Sequence, residues 1–313
     1  MEIIRKGLKA SFGDGIKNII PFLKFQLFLF FWLIKHRKEY TIIHACDFDT
    51  AFTASLTTIL TRKKLVFDIF DYLSTNATTI PQKIIKKLED SIINKSDATI
   101  ICTEQRKLQI KDARPKRLYI IHNTPHILKN SVADKHKKIR IVYVGILQEH
   151  RLILEMINVI LRHPEFELHI GGFGKFEQKI EEISKQYTNI KYYGKLSYEK
   201  TLELESSCDI MTAIYDPTLG NHFYAAPNKF YEALMLGKPL IMVKNTGMSD
   251  VLLKNNIGIC IDYSPESFEQ GLEELVKLRN EWPSIHSKMR KIYNENYSWN
   301  VMEKRLVDLY NQI

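Results

Sequence analysis

The sequence predicts an α/β protein of two compact domains, each built on a doubly wound parallel sheet. At 313 residues, 45% of them hydrophobic, the chain exceeds one typical domain and can bury a sizeable core. Short apolar or β-branched runs alternate with helix-period segments along nearly the whole chain, a pattern typical of parallel sheets covered by helices on both faces. Residues 122–138 lose this periodicity, become polar and basic, and contain a proline, so they separate the two halves.

Hydrophobic periodicity places the individual elements. In the first half we expect helices at residues 49–60 and 81–94, and strands at residues 41–46, 65–69, 98–103 and 117–121. In the second half we expect strands at residues 140–144, 166–171, 190–193, 209–213, 239–243 and 258–261. A last amphipathic helix begins at Trp299, with Ser298 as its N-terminal cap.

Composition limits the classes of binding partner and the cellular compartment that we expect for the protein. The formal charge of +9 favours anionic partners, but the lysines are scattered over many helices, which argues against nucleic acid. The four cysteines show no metal-ligand or redox spacing, which indicates free thiols in a reducing cytoplasm: Cys46, Cys102, Cys208 and Cys260. The first 18 residues alternate charged and apolar residues without a cleavage site, unlike a secretory signal.

The apolar run from Ile19 to Ile34 is the one segment that could contact a membrane. Pro21, Lys24 and Gln26 interrupt it, and it is shorter than the roughly 20 apolar residues that a span needs. We therefore expect a buried or interfacial helix. The basic residues 35–38 that follow suit an anionic lipid surface.

The most informative segment is APNKFYEALMLGKP, residues 226–239, which precedes an apolar strand. Pro227 suits the first turn of a helix and Gly237 its C-terminal cap, so the helix begins at one edge of the sheet. Helix starts favour phosphate, and a first-turn cation such as Lys229 is disfavoured unless an anion is nearby. Glu232 could accept hydrogen bonds from a ribose diol. Both residue types are also common at helix starts without a ligand.

Two further loops follow strands. In the first, the strand ends at Gly145 and Arg151 opens the next helix, so backbone amides and a guanidinium could face a diphosphate. In the second, the run Gly171-Gly172-Phe173-Gly174 would let a ligand approach the backbone, although a glycine cluster is weak evidence by itself.

In their order along the chain these segments resemble family 4 glycosyltransferases, enzymes of the two-domain GT-B fold. The resemblance covers residues 40–313. In the second half it is carried by Gly145 to Arg151, the 171–174 loop, YGKL at 193–196, CDI at 208–210, PNKFYEALMLGKPLI at 227–241 and YSW at 297–299. In the first half, TIIHACDFDT, KLVFDIFDY and IHNTP are similar to the acceptor-facing strand, the next strand and the interdomain linker.

The resemblance implies a donor site in the second domain. Arg151 and Lys229 would contact the diphosphate of a nucleotide-sugar donor and Glu232 its ribose. The full set of implied donor-binding residues is Gly145, Arg151, Gly172, Leu196, Tyr224, Asn228, Lys229 and Glu232. His44 is the candidate catalytic residue, with Asp47, Asp49, Asp68 and Asp71 as alternative carboxylates. Neither a cofactor nor a metal is expected, because two cations and a helix start can stabilise the leaving diphosphate.

The sequence departs from the family pattern at several points. Tyr224 stands where the family has the first of two glutamates, eight residues before Glu232, and Cys46 and Ile146 replace a frequent histidine and a frequent basic residue. Only about 40 residues precede His44, so we predict that the first strands of the family's N-terminal domain are missing and that this domain is incomplete. We predict an acceptor-side domain at residues 1–124, a donor-binding domain at 125–297, and a C-terminal helix at 298–313 that packs back toward the first domain.

The predicted activity is transfer of a hexose-type sugar from a nucleotide-diphosphate sugar to a glycan or lipid-linked acceptor in surface polysaccharide or glycoconjugate synthesis. The family usually retains the anomeric configuration. The predicted location is the cytoplasm, with the cytoplasmic membrane face and an anionic lipid surface as candidate sites of peripheral binding. Two alternatives stay open: a non-catalytic nucleotide-sugar-binding subunit or truncated remnant completed by a partner chain, and a sugar-nucleotide epimerase.

Overall fold

The computed structural model describes residues 3–8, 18–73, 77–126 and 136–313. The chain forms two compact units. One comprises the residues up to Ile121 together with Arg305–Ile313, and the other comprises His122–Lys304. Part of the predicted boundary segment, residues 127–135, lies outside the described ranges. None of the described helices combines the length and the apolar character needed to cross a bilayer.

The described residues of the first unit form a four-stranded parallel sheet in the order β1-β2-β3-β4. Its elements are α1 (Ile19–Lys35), β1 (Ile42–Cys46), α2 (Asp47–Thr61), β2 (Lys64–Ile69), α3 (Ile80–Lys95), β3 (Ala98–Ile101), a 3-10 helix (Glu104–Leu108), β4 (Leu118–Ile120) and the last turns of α12 (Trp299–Asn311). A strand order that advances in one direction matches one half of a doubly wound sheet.

Alternation along β2 explains why this sheet is covered on both faces. Leu65 and Phe67 point into a core shared with α2 and α3, whereas Val66 between them packs in a second cluster with Leu309 of α12. Side chains of a strand alternate between faces, so three consecutive apolar residues require apolar cover on both. Both predicted helices and all four predicted strands of this half are present, with bounds shifted by at most two residues.

Outside residues 127–135, the second unit forms a six-stranded parallel sheet in the order β10-β9-β8-β5-β6-β7. Its elements are β5 (Ile139–Ile146), α4 (Ile153–Arg162), β6 (Phe166–Phe173), α5 (Glu177–Gln186), β7 (Ile190–Tyr192), α6 (Tyr198–Ser206), β8 (Ile210–Ala213), α7 (Gly220–Phe223), α8 (Asn228–Leu236), β9 (Leu240–Val243), α9 (Ser249–Asn255), β10 (Gly258–Ile261), α10 (Pro265–Lys277), α11 (Trp282–Ile292), a π-helical turn (Tyr293–Tyr297) and the start of α12.

Counted from β5, this is the 3-2-1-4-5-6 strand order of a Rossmann fold. The order reverses between β5 and β8, which are hydrogen-bonded neighbours through Ile141 and Ile210. In open α/β sheets ligands bind outside the carboxyl ends of the strands at such a reversal. The fold therefore places a binding crevice at the loops after β5 and β8. All six strands predicted in this half are confirmed.

Helix α8 begins and ends where its sequence predicts. Pro227 immediately precedes its first residue, and Gly237 follows its last residue in the left-handed conformation, with φ of 70°. A β-carbon at Gly237 would also lie 2.9 Å from the carbonyl oxygen of His286, so glycine is needed there for both conformation and space.

Candidate functional site

The loops after β5 and β8 are tied together at the reversal of strand order. The backbone N–H of Asp216 donates to the carbonyl of His150 over 3.2 Å, and Nδ1 of His150 lies 2.8 Å from Oδ2 of Asp216. Both residues that flank Arg151 have positive φ, 66° at His150 and 51° at Leu152. Such strained backbone persists only where surrounding contacts hold it, and it concentrates at functional sites.

Arg151 is held on two sides within this loop. Its guanidinium carbon lies 4.2 Å from the ring centroid of Tyr215, and its Nη1 donates to Nε2 of His222 over 2.9 Å. Nδ1 of His222 in turn donates to the carbonyl of Asp216 over 2.9 Å. Burial, and then the charge of Arg151, lower the pKa of His222, so its imidazole is neutral and can accept the arginine hydrogen bond.

Lys229, the second residue of α8, reaches the same place from the other side. Its Nζ lies 5.0 Å from the ring centroid of Tyr143 and 5.7 Å from that of Tyr215. Burial lowers the pKa of Lys229, but Tyr215, Tyr143 and the carboxylates of Glu232 and Glu205 more than offset this, so the pKa is raised and the ammonium keeps its proton. Arg151 and Lys229 therefore bring two positive charges to one aromatic ring, an arrangement that a bound anion would stabilise.

Two buried carboxylates lie close enough to Lys229 to influence its charge. Glu232 is 4% exposed; burial raises its pKa, and Lys229 and a hydrogen bond with Tyr198 partly oppose that rise. Glu205, from α6, is 1% exposed, and its Oε2 has no hydrogen-bond partner. Burial, and then Glu232, raise the pKa of Glu205 well above its usual value.

A cavity of about 160 Å³ opens at the ends of β5 and β6. It is lined by Val144, Gly145, Ile146, Gly172, Phe173, Lys195 and Leu196. At Gly172, where φ is 132°, a β-carbon would lie 1.8 Å from the carbonyl oxygen of Gly145, so these strand ends approach too closely for any side chain. Three predicted donor-binding residues, Gly145, Gly172 and Leu196, therefore share one hollow.

A second cavity, of about 170 Å³, lies at the start of α8. It is lined by Asn123, Thr124, Pro125, His126, Tyr198 and Asn228. Nδ2 of Asn123 donates to Oδ1 of Asn228 over 3.3 Å. The remaining predicted donor residue, Tyr224, follows α7 and packs edge-on against Phe223, with ring centroids 4.9 Å apart.

His44 belongs to the first unit, on β1. Its Nε2 lies 3.0 Å from Oδ2 of Asp68 and its Nδ1 lies 2.6 Å from the hydroxyl of Tyr310. Hydrogen bonds with Asp68 and Cys46 raise the pKa of His44 to about 11, so the ring is an imidazolium at neutral pH. A cationic imidazole has no lone pair to accept a proton, so His44 can donate a hydrogen bond but cannot serve as a general base.

One of the alternative carboxylates near His44, that of Asp47, already has structural partners. Asp47 accepts hydrogen bonds from the backbone N–H groups of Phe70 and Asp71, over 2.8 and 2.9 Å. In the described part of the chain, one group could offer three ligand atoms to a metal ion, within 4.8 Å of one another: His44, Cys46 and Asp68. Cys46 is exposed, whereas Cys102 and Cys208 are buried and Cys260 is partly so.

Sequence reasoning missed four residues of the second-unit site: His150, Asp216, His222 and Glu205. Three of them hold Arg151 or its loop, and one faces Glu232. Their partners lie tens of residues away along the chain. The sequence of a short amphipathic helix such as α6 does not show which of its carboxylates is buried.

Two parallel sheets, one of them with the Rossmann strand order and paired cations at its reversal, define a GT-B glycosyltransferase fold. Residues 126–298 match the family described as "Glycosyl transferases group 1". Because this match spans more than half of the chain, the protein belongs to the group 1 glycosyl transferases.

Solved structures agree on the fold. The crystal structure of HepE from Anabaena in complex with UDP matches with a TM-score of 0.74 and 14% identity, over 91% of this chain and 82% of HepE. A glycosyltransferase from Rickettsia africae matches with a TM-score of 0.71 and 15% identity, over 97% and 84% of the two chains. Sucrose-phosphate synthase from Thermosynechococcus elongatus matches with a TM-score of 0.68 and 14% identity, over 93% and 78%. No curated protein matches the sequence.

Proposed function

We propose that the protein transfers a hexose-type sugar from a nucleotide-diphosphate sugar to a glycan or lipid-linked acceptor, in surface polysaccharide or glycoconjugate synthesis. The observation that carries this proposal is the placement of Arg151 and Lys229 over the ring of Tyr215, next to the start of α8. A diphosphate is an anion of suitable size and charge for two cations and a helix N-terminus. HepE, which shares the fold, is solved with UDP and with UDP-glucose, so uridine donors are the first to test.

In the proposed reaction the acceptor hydroxyl oxygen bonds to the anomeric carbon, and the bond from that carbon to the diphosphate oxygen breaks. Negative charge then grows on the departing diphosphate, where Arg151, Lys229 and the amides at the start of α8 stabilise it. We propose that these groups suffice without a metal or cofactor. The acceptor proton passes to a diphosphate oxygen, which is consistent with retention of the anomeric configuration.

The remaining residues have supporting roles in this proposal. Glu232, buried and opposite Lys229, accepts hydrogen bonds from the donor ribose, and the cavity at Gly145, Gly172 and Leu196 takes the neighbouring part of the nucleoside. His44, as a cation, donates a hydrogen bond to the sugar or the acceptor. The four unpaired cysteines support a cytoplasmic location.

The test is a binding measurement with uridine, guanosine and adenosine diphosphates. One of them should raise the melting temperature of the wild-type protein. Lys229→Ala should weaken that nucleotide's affinity by roughly ten- to a hundredfold, the effect of losing a hydrogen bond to a charged group. Lys277→Ala removes an exposed lysine of the second unit and serves as the matched control. Equal nucleotide shifts in wild type and Lys229→Ala would overturn the assignment of the site.

Turnover separates the transferase from the alternative, a non-catalytic nucleotide-binding subunit or remnant that needs a partner chain. The observation that supports this alternative is the sheet of the first unit, in which four strands are described. The protein is incubated with the nucleotide sugar whose diphosphate binds, with and without a lipid extract, and release of nucleotide diphosphate is followed. Acceptor-dependent release supports the transferase, whereas tight binding without release supports the subunit. Conversion of the nucleotide sugar without any acceptor would instead indicate an epimerase.

A further inference from the structure

Helix α1 of the first unit turns a stripe of large apolar side chains outward. Its exposed residues are Ile19 (52%), Ile20 (65%), Leu23 (53%), Leu27 (59%) and Phe31 (65%). Four of the five recur at intervals of four residues, so they form one stripe along the helix surface. The stripe is apolar except for Lys24, which is also exposed.

The opposite face of α1 buries a polar residue. Gln26 is 8% exposed; its Nε2 donates to the carbonyl of Asp49 over 2.7 Å, and its Oε1 accepts a hydrogen bond from the hydroxyl of Thr53. Thr53 is itself 3% exposed. A helix on a water-exposed surface places its apolar stripe inward and its polar residues outward. In α1 the buried residues are Gln26 and Leu33, whereas the apolar stripe faces outward, which indicates an apolar environment outside the unit.

The charges around the stripe favour an anionic lipid surface as that environment. The sequence of α1 contains no acidic residue, and the exposed cations Lys35, Arg37 and Lys38 lie at its end. The neighbouring helix α2 exposes Leu56, Ile59 and Leu60 shortly before another exposed cation, Arg62. Apolar side chains bordered by lysine and arginine suit the boundary between acyl chains and anionic headgroups.

The length of α1 fixes how it would meet a bilayer. Its 17 residues span about 25 Å, less than the hydrocarbon core of a membrane, and Lys24 interrupts the apolar run. We propose that α1 lies in the plane of an anionic bilayer surface and anchors the first unit there, with Leu23, Leu27 and Phe31 among the acyl chains and Lys35, Arg37 and Lys38 at the headgroups. This goes beyond the proposed function, because it concerns lipid binding and not sugar transfer.

The test is flotation of the full chain with vesicles of phosphatidylcholine, with and without phosphatidylglycerol. The wild-type protein should float with the anionic vesicles and much less with the neutral ones. The double variant Leu27→Glu/Phe31→Glu should lower the partition coefficient more than about tenfold, because two large side chains no longer leave water. Leu253→Glu changes a residue of the second unit that is 50% exposed and should leave flotation unchanged.

A second measurement reports on α1 directly. Trp32 lies on this helix, whereas Trp282 is buried and Trp299 lies on α12. Brominated acyl chains should quench the fluorescence of Trp32, and Trp32→Phe should remove that quenching while flotation persists. Failure of the wild-type protein to bind anionic vesicles would overturn the proposal. So would a stable dimer that the Leu27→Glu/Phe31→Glu variant dissociates, because the stripe would then be covered by a second copy. Neither result depends on nucleotide binding or turnover.

Discussion

The ammonium nitrogen of Lys229 lies 2.9 Å from the point where a β-carbon on Gly145 would stand. A glycine at the end of β5 thus leaves the space into which the lysine of α8 extends, beside the ring of Tyr143. This relationship joins two segments singled out in the sequence, the strand that ends in glycine and the Pro-Asn-Lys helix.

Gly145→Ala is expected to weaken nucleotide binding and to lower the stability of the protein. Gly145 has a φ of 159°, which residues with a side chain rarely adopt, and the added methyl group would displace the ammonium of Lys229 from its place beside Arg151. We expect a roughly two- to tenfold higher Kd for the nucleotide diphosphate by calorimetry, together with a lower Tm. Gly7→Ala, where the new carbon meets nothing within 4 Å, is the control. Unchanged affinity would show that the position of Lys229 is unimportant.

His222→Ala should loosen Arg151 and weaken nucleotide binding. The variant removes the acceptor of the Nη1 hydrogen bond and the edge-on contact of His222 with the ring of Tyr215. We expect a roughly two- to tenfold loss of affinity, comparable to one neutral hydrogen bond. His222→Gln keeps an acceptor oxygen and should recover part of the loss. If glutamine and alanine are equally damaging, the histidine acts in some other way than by holding the guanidinium.

Glu205→Gln should stabilise the protein, and more so at alkaline pH. The folded-state pKa of Glu205 lies above its usual 4.5, so folding is favoured by protonation; that contribution is complete below pH 4.5 and lost as the pH rises through the folded pKa. Glutamine is neutral at every pH, so the stability of the variant does not fall in this way as the pH rises. Urea unfolding at about pH 5 and about pH 8 should show a larger gain over wild type at the higher pH. Glu203→Gln, at an exposed position of the same helix, should show no such trend.

The ion pair of His44 and Asp68 should stabilise the first unit in a pH-dependent way. The pKa of His44 is raised from 6.5 to about 11, so the stabilisation is complete below pH 6.5 and is lost as the pH rises through 11. Asp68→Asn removes the pair, so the difference in unfolding free energy between wild type and variant should shrink between about pH 6 and pH 10. A constant difference would mean that the histidine is neutral in the folded protein.

Much of the architecture is readable in the sequence because it depends on local patterns. The strands appear as short apolar runs between helix-period segments, and Pro227 and Gly237 mark the ends of α8. The nearness of Arg151 and Lys229 also follows, since parallel strands bring the loops at their carboxyl ends to one edge of the sheet.

Other features depend on contacts that no local pattern encodes. His150 meets Asp216, 66 residues further along the chain, and this contact lies beside the positive-φ backbone that flanks Arg151. Glu205 is buried where α6 packs against β5 and α8. The outward direction of the α1 stripe could not be predicted from the sequence either. Helix α1 is apolar on most of its circumference, so Gln26 looks like an interruption of an apolar run and gives no sign that it lies on the inward face.

The exposure of Cys46, beside His44 and Asp68, has a practical consequence. Two of the other three thiols are buried and the third is partly covered, so a maleimide dye should react first at the end of β1. A fluorophore attached there would sense the surroundings of the histidine without any engineered substitution. The wild-type protein can therefore be labelled at Cys46 to follow ligand binding at the first unit.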